Sequence, residues 1–257
     1  MRARIITAAL GLPLVLAAVY LGTWYFFIAI GIVTVLALYE FSTLFYVKKA
    51  WLWSLALTLP WYLNLAVDGL ISADVYLLLY LTVVPIVVLV LLNKTLKIPQ
   101  GLALIFGGLY IPMLLSTLVL IRQLNNGLAL VFAVLFLTWG TDTGAYFIGK
   151  AFGKAKLAPM ISPNKSWAGA IGGLGAAVII AFVFGILTDA NLYGIIAWGF
   201  VVSTAGQLGD LCESAIKRFA GIKDSGNLLP GHGGFYDRID SLLFTSAISY
   251  IFFTVGI

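Results

Sequence analysis

Many of the side chains that could do chemistry in this apolar sequence lie in its C-terminal half. Asp210, Glu213 and Ser214 follow one another at i, i+3 and i+4, so a helix would carry them on one face. Asp237 and Asp240 repeat the i, i+3 spacing. Carboxylates from two helices that meet at one depth suit a hard divalent cation, which binds oxygen ligands. The spacing therefore predicts a site for such a cation.

The same region carries basic residues and glycines that suit phosphate groups. Lys217 continues the helix face of Asp210, and Arg238 directly follows Asp237. Glycine has no Cβ, so its backbone N–H can approach a phosphate closely. The residues of these two kinds are Lys217, Arg218, Lys223, Gly231, Gly233, Gly234 and Arg238. The alternative is a set of ion pairs that closes a loop, although stability alone rarely requires so many desolvated charges.

His232 is the single histidine of the chain. A metal site built from several histidines is therefore excluded. Two roles stay open on the residues alone. His232 could hydrogen-bond a phosphate or relay a proton, or it could hold the surrounding loop in place through hydrogen bonds.

A second polar block runs from residue 141 to residue 169. Asp142 lies close to the end of an apolar segment, and a turn is predicted further on by the sequence SPNK. The turn would present Lys165 and Ser166 at the start of the next helix, where free backbone N–H groups favour an anion. The alternative is a basic loop that anchors the chain at the membrane surface, followed by an ordinary helix N-cap.

Composition indicates an integral membrane protein. Of the 257 residues, 62% are hydrophobic and 10% are charged, whereas about 25% of a soluble domain is charged. The mean hydropathy is +1.07. The single cysteine, Cys212, excludes an intramolecular disulfide and a cysteine-based zinc site. The sequence has no P-loop pattern, and we expect no nucleic-acid partner.

Nine apolar segments approach the roughly 20 residues that a helix needs to cross a membrane. They are 5–22, 24–46, 51–67, 73–92, 100–121, 128–148, 168–188, 192–212 and 239–257. Cytoplasmic loops are enriched in Lys and Arg, and a cytoplasmic N-terminus places all 15 basic residues except Arg122 on that side. The predicted fold is therefore an all-α polytopic membrane protein with about nine transmembrane helices and a cytoplasmic N-terminus.

We expect one integral membrane domain over residues 1–257. An N-terminal helical bundle would occupy 1–122. A catalytic part would occupy 128–257, with cytoplasmic loops at 149–167 and 213–238. Acidic residues at membrane depth usually face a cavity, a cation or a partner. Since they gather here at the cytoplasmic ends of the predicted spans, we expect a polar pocket open to the cytoplasm between the sixth, eighth and ninth spans.

The two polar blocks resemble the phosphatidate cytidylyltransferase family, also called CDP-diacylglycerol synthases. The family signature has Ser, two residues, Lys-Arg, four residues, Lys-Asp, then His-Gly-Gly, and ends in Asp-Arg, a hydrophobic residue and Asp. It is met by Ser214, Lys217, Arg218, Lys223, Asp224, His232, Gly233, Gly234, Asp237, Arg238, Ile239 and Asp240. The first block is similar to the family's D-x-G-A-Y-x-x-G and S-P-x-K-[TS]-W-E-G segments. Ala168 departs from them, because the family usually has glutamate there, so position 168 is left out of the predicted site.

The resemblance implies a reaction in which CTP and phosphatidate give CDP-diacylglycerol and pyrophosphate. The lipid phosphate would attack the α-phosphorus of CTP, so no serine or cysteine nucleophile is needed. Mg²⁺ is the implied cofactor, with the number of ions left open. The implied partners are CTP, phosphatidate, the lipid bilayer and a second copy of the chain. The implied location is a bacterial inner membrane, with the active site facing the cytoplasm.

The resemblance also assigns roles to individual residues. Asp210 and Asp237 are predicted to be metal ligands, with Asp240 and Asp142 as contributors. The predicted catalytic residues are Asp210, Asp237, Lys217 and Arg238. The predicted substrate-binding residues are Lys165, Ser166, Ser214, Lys217, Arg218, Lys223, His232, Gly233 and Gly234.

Two other functions remain alternatives on sequence grounds. A CTP-dependent lipid or polyprenol kinase would use similar residues but would transfer the terminal phosphoryl group. A cation-coupled transporter would also place acids inside the membrane, yet transporters commonly have inverted repeats and sites at the bilayer midplane. No internal repeat is visible here, and the charges gather near one face. A non-catalytic scaffold would need neither Asp210 nor Asp237.

Overall fold

The computed structural model describes residues 2–66, 73–92, 96–228 and 233–255. In these residues the chain is almost entirely helical, apart from one short hairpin. The elements are α1 Arg2–Leu21, α2 Thr23–Leu44, α3 Ala50–Ala66, α4 Ala73–Leu92, α5 Ile98–Gln123, α6 Gly127–Phe152, β1 Lys156–Ala158, β2 Ser162–Ser166, α7 Trp167–Thr188, α8 Leu192–Phe219 and α9 Asp240–Val255, with a 3₁₀ turn at Tyr236–Arg238. Each predicted apolar segment coincides with one helix.

Five helices within the described residues are long and apolar enough to cross a membrane. They are Trp24–Leu44, Ile98–Gln123, Gly127–Phe152, Trp167–Thr188 and Leu192–Phe219. Such a helix satisfies every internal backbone hydrogen bond within itself, which is what the hydrocarbon layer demands. The prediction of an all-α integral membrane protein is confirmed at this level, while nine crossings and the orientation stay predictions.

The chain divides into two compact units. The first comprises Met1–Ala18, Trp24–Ser116 and Asp224–Asp237, and the second comprises Val19–Thr23, Thr117–Lys223 and Arg238–Ile257. In the first unit, the hydroxyl groups of Thr34 and Tyr62 join α2 to α3 at 2.8 Å. Helix α5 approaches α2 so closely that a Cβ on Gly107 would lie 2.5 Å from the Phe41 ring.

In the second unit, small residues bring α6 and α7 into close contact. A Cβ built on Gly144 would lie 2.7 Å from the Cβ of Ala176, and one on Gly173 would lie 2.9 Å from the carbonyl oxygen of Thr141. This is the close packing expected of the sequence GAIGGLGAA in α7. Helix α6 also contacts α9, where the hydroxyl groups of Thr138 and Thr245 form a hydrogen bond of 2.8 Å.

Two local features differ from the sequence-based expectation. The SPNK sequence, predicted to be a turn, lies in β2, which pairs antiparallel with β1. Proline is tolerated there because both strands of a two-stranded ribbon are edge strands. In addition, α8 continues past its predicted end at residue 212 to Phe219. The start of the segment predicted as a cytoplasmic loop at 213–238 is therefore helical.

Candidate functional site

Three carboxylates of the second unit meet where α8 and α9 pack together. Asp210 and Glu213 extend from α8, and Asp240 is the first residue of α9. One oxygen from each of the three lies within 4.8 Å of the others. The helices can approach because α8 carries glycine at the contact, where a Cβ on Gly209 would lie 2.9 Å from the carbonyl oxygen of Asp240. The i, i+3 spacing predicted the shared face of Asp210 and Glu213.

Asp142 of α6 belongs to the same group of charges. Its carboxylate accepts a hydrogen bond from the Ser241 side chain and lies close enough to Asp210, Lys165 and Arg238 to interact with their charges. Acids from α6, α8 and α9 therefore come together, as the predicted pocket between the sixth, eighth and ninth spans requires. We call Asp142, Asp210, Glu213 and Asp240 the acidic cluster.

Two lysines pair with the acidic cluster. The Lys165 ammonium lies 2.8 Å from Asp210 Oδ2. On α8, Lys217 lies 2.7 Å from Glu213 Oε2, one helical turn away. The Glu213 side chain is only 1% exposed, whereas Asp210 keeps 33% of its side-chain surface accessible. The site thus places several carboxylates next to two lysine side chains that could pair with an anionic ligand.

The β1–β2 hairpin and the start of α7 position Lys165. Ser162 pairs with Ala158, and Ser166 pairs with Lys156. Ser166 is then the N-cap of α7, because its hydroxyl accepts a hydrogen bond from the backbone N–H of Gly169 at 3.1 Å. The side chain is buried. The N-cap interpretation of Ser166 is therefore correct, and its contact with a phosphate stays a prediction.

Replacing Ser166 with Ala is expected to destabilise the protein by about 1 kcal/mol, since the buried Gly169 N–H loses its acceptor. Thermal unfolding in detergent would show this as a lower midpoint. Ser162→Ala is the matched control, because Ser162 lies in the same strand but caps no helix. An unchanged midpoint for Ser166→Ala would contradict the capping role.

The glycine-rich segment of the signature lies in the first unit and is organised around Asp237. The Asp237 carboxylate accepts hydrogen bonds from the backbone N–H of Ser225, at 3.1 and 3.2 Å, and from that of Gly234, at 2.9 Å. Gly233 has a φ of 83°, a left-handed conformation that glycine adopts most readily. The backbone N–H of Gly234 therefore donates to Asp237 and is not available to a phosphate in this arrangement.

The remaining predicted substrate-binding residues occupy several places. In the second unit, Arg218 donates hydrogen bonds to the carbonyl oxygens of Ile161, at 3.2 Å, and Ile222, at 3.1 Å. It therefore ties the end of α8 to the β1–β2 hairpin. Lys223 and Arg238 are exposed, and Ser214 is half-buried on α8. His232 and Gly231 lie outside the described residues.

The structure thus brings Asp142, Asp210, Asp240, Lys165 and Lys217 together in the second unit. The pairing of Asp237 with Asp210 as metal ligands stays a prediction. The spacing placed Glu213 with Asp210 in the predicted cation site, but the roles implied by the resemblance left it out of the metal ligands. Glu40, an acid within the apolar segment 24–46, was given no role from the sequence, although an acid at membrane depth usually faces a cavity, a cation or a partner.

The donor set of the acidic cluster fits a hard divalent cation. All its potential ligand atoms are carboxylate oxygens, which Mg²⁺ prefers, and the cluster contains no sulfur or imidazole donor. Three carboxylates within 4.8 Å of one another repel unless a cation or proton stands between them. Lys165 and Lys217 supply part of that compensation in the protein alone.

Comparison with known proteins gives a consistent result. Residues 2–255 match the sequence profile of the cytidylyltransferase family. A phosphatidate cytidylyltransferase of Bacillus subtilis is 37% identical over 265 residues, covering 97% of this chain and 96% of that protein.

Two further relatives carry the same name. The one from Haemophilus influenzae is 49% identical over 139 residues, covering 51% of this chain and 48% of the relative. The one from Brucella suis is 50% identical over 115 residues, covering 44% and 43%. These two alignments thus span about half the length of each relative. The predicted resemblance is confirmed, and with it the class of enzyme, a nucleotidyltransferase: the chain belongs to the cytidylyltransferase family.

Proposed function

We propose that this protein transfers the cytidylyl group of CTP to phosphatidate and releases pyrophosphate. The observation that carries the proposal is the meeting of Asp210, Glu213 and Asp240 within 4.8 Å, with Lys165 at 2.8 Å from Asp210. Acidic residues suited to a cation, next to lysines suited to phosphates, are what nucleotidyl transfer requires. The names of the relatives support the choice of phosphatidate as the acceptor.

In the proposed reaction, a phosphate oxygen of phosphatidate attacks the α-phosphorus of CTP. A bond forms between that oxygen and the α-phosphorus, and the bond from the α-phosphorus to the oxygen bridging the β-phosphate breaks. Pyrophosphate leaves with the electron pair, and CDP-diacylglycerol remains. Since the acceptor is already an anion, no side chain has to act as the nucleophile. The protein's task is to align the two substrates and compensate their charge.

The carboxylates of the acidic cluster would hold Mg²⁺. When bound, Mg²⁺ supplies charge neutralisation and polarisation at the phosphate oxygens. Asp210 and Asp240 present oxygens from two different helices, and Glu213 forms an ion pair with Lys217. Asp142 contributes charge from α6. Asp237, which the signature marks as a ligand, is assigned the same function.

Lys165 would exchange partners during substrate binding. In the protein alone its ammonium pairs with Asp210 at 2.8 Å. If Asp210 held a cation, the Lys165 ammonium would be free to pair with a substrate phosphate. Lys217 and Arg238 are positioned to compensate further charge near Glu213 and Asp142 respectively. Lys223, Arg218, Ser214, Ser166, His232, Gly233 and Gly234 complete the proposed phosphate-binding set.

The lipid tails have a suitable apolar surface between α6 and α7. A groove of about 950 Å³ runs along these helices, lined by residues such as Phe136, Ile179 and Leu187. Thr143 and Gly144 also line it, directly after Asp142 in the sequence. An acyl chain lying in this groove would keep its headgroup at the level of the acidic cluster.

The topology proposed with this function has nine membrane crossings and a cytoplasmic N-terminus. The distribution of Lys and Arg supports it, because a single basic residue, Arg122, falls on the opposite side. The site would then open to the cytoplasm, where CTP is available, in a bacterial inner membrane. Residues 128–257 would form the catalytic part and 1–122 a supporting bundle. We include a homodimer in the proposal.

CTP radiolabelled at the α-phosphorus tests the reaction directly. With purified protein, Mg²⁺ and phosphatidate, we expect the α-label to enter the lipid product and the γ-label to leave as pyrophosphate. Omission of phosphatidate or Mg²⁺ should abolish transfer. Incorporation of the γ-label into the lipid would instead identify a CTP-dependent kinase and overturn the proposal.

A further inference from the structure

Glu40 is a buried acid near the C-terminal end of α2, with 1% of its surface exposed. Its Oε2 accepts a hydrogen bond from the backbone N–H of Tyr236 at 2.9 Å and another from the Ser225 hydroxyl at 3.1 Å. All three residues belong to the first unit. A carboxylate buried in an apolar span is costly unless it is hydrogen-bonded. Here its bonds go to residues almost 200 positions further along the chain.

The segment around Tyr236 is shaped to receive this carboxylate. A Cβ on Gly226 would lie 2.6 Å from Glu40 Oε1, and one on Gly234 would overlap Oε2. Only glycine therefore fits at these two positions while Glu40 keeps its place. The ring of Tyr236 is fully buried and packs edge-to-face on Phe41, with ring centroids 5.5 Å apart. Successive residues of α2 thus hold both the backbone and the side chain of Tyr236.

Ser225 links Glu40 to Asp237. Its hydroxyl donates to Glu40 Oε2, and its backbone N–H donates to the Asp237 carboxylate at 3.1 Å. Gly234 makes a second link, because its N–H donates to Asp237 at 2.9 Å and its α-carbon lies against Glu40. A displacement of the Glu40 side chain would therefore move both backbone donors that orient Asp237.

We propose that Glu40 is a positioning residue that fixes the orientation of the Asp237 carboxylate through Ser225, Gly234 and Tyr236. The inference rests on the proposed function for the role of Asp237, but the contacts themselves do not depend on it. Glu40 does not need to contact a substrate for this role. It would affect the reaction only by fixing the position of Asp237.

Hydrogen–deuterium exchange of the purified full chain tests the contact without any substrate or metal. In Glu40→Ala, the amide hydrogens of Ser225 and Gly234 should exchange at least about tenfold faster, although neither donates to Glu40. Glu40→Gln keeps the shape and one acceptor oxygen, so most of the protection should return. Thr34→Ala is the matched control, since it also removes a buried hydrogen-bonding group from α2, but one that bonds to Tyr62 and not to this segment. Unchanged exchange of both amides in Glu40→Ala would overturn the proposal.

A kinetic measurement gives a second readout, the Mg²⁺ concentration at half-maximal activity. This concentration does not change when a smaller fraction of the protein is folded. The Mg²⁺ concentration giving half-maximal activity should rise roughly 10–100-fold in Glu40→Ala, as for a residue that orients a metal ligand. An unchanged Mg²⁺ dependence with only a lower maximal rate would reject the positioning role.

Should Glu40→Ala fail to fold, the Ser225→Ala variant takes its place. It deletes only the hydroxyl link to Glu40 and should raise the Mg²⁺ concentration at half-maximal activity in the same way. An inactive wild-type protein would refute the proposed function, while the exchange experiment would still decide the role of Glu40.

Discussion

Replacement of Asp210 with Asn is expected to lower the rate of CDP-diacylglycerol formation by about 10³-fold. Asn keeps the size of the side chain but removes the charge that Asp210 contributes among Glu213, Asp240 and Lys165. Charge stabilisation of a transition state by a metal is worth several kcal/mol, and about 4 kcal/mol corresponds to this loss. The measurement is steady-state formation of labelled lipid from CTP and phosphatidate in detergent.

The structure of the Asp210→Asn variant should remain intact. The substitution removes the ion pair with Lys165 but also relieves repulsion from Glu213 and Asp240, so the unfolding midpoint should change little. Asp189→Asn is the matched control: Asp189 is exposed at the end of α7 in a left-handed conformation that Asn also tolerates. Retention of more than about a tenth of the wild-type rate by Asp210→Asn would count against a ligand role.

Asp237→Asn is expected to reduce the same activity by about 10²–10³-fold. The amide oxygen of Asn can still accept from the N–H groups of Ser225 and Gly234, so the segment should keep its conformation. What the variant loses is the negative charge that the family signature places there. Rates should be compared across a range of Mg²⁺ concentrations. Loss of a ligand should raise the Mg²⁺ concentration that gives half-maximal activity and should also lower the maximal rate.

Two comparisons make the Asp237 result specific. Asp189→Asn again controls for the substitution, and hydrogen exchange of Ser225 and Gly234 verifies that the segment is still held. Full Mg²⁺-dependent turnover of CTP by Asp237→Asn would show that the signature aspartate is not a ligand in this chain. Activity lost together with exchange protection would instead indicate a structural role for the Asp237 carboxylate.

The sequence was sufficient to predict those parts of the site that depend on regular spacing. The i, i+3 relation of Asp210 and Glu213 requires only that the segment be helical, and the apolar run 192–212 predicts that helix up to the residue before Glu213. The close packing of α6 and α7 follows equally from the small residues of α7. Composition likewise predicted an all-α membrane protein, because so few charges cannot cover a water-facing surface.

Features set by tertiary contacts could not be predicted. The β1–β2 pairing depends on contacts across a short ribbon, and the Pro-Asn pair in β2 carries an equally good turn signal. The partners of Glu40 could not be named from the sequence, since Ser225 and Tyr236 lie in a distant part of the chain. The extension of α8 to Phe219 was obscured because residues beyond 212 are polar and no longer resemble a span.

The central claim is that Asp210, Glu213 and Asp240 hold a divalent cation. Anomalous diffraction from crystals of the protein with CTP and Mn²⁺, used in place of Mg²⁺, tests it most directly. We expect an anomalous peak within direct bonding distance of carboxylate oxygens from Asp210 and Asp240, and its loss in crystals of Asp210→Asn. Bound CTP with no peak at these carboxylates, or with Mn²⁺ held only by other residues, would contradict the account.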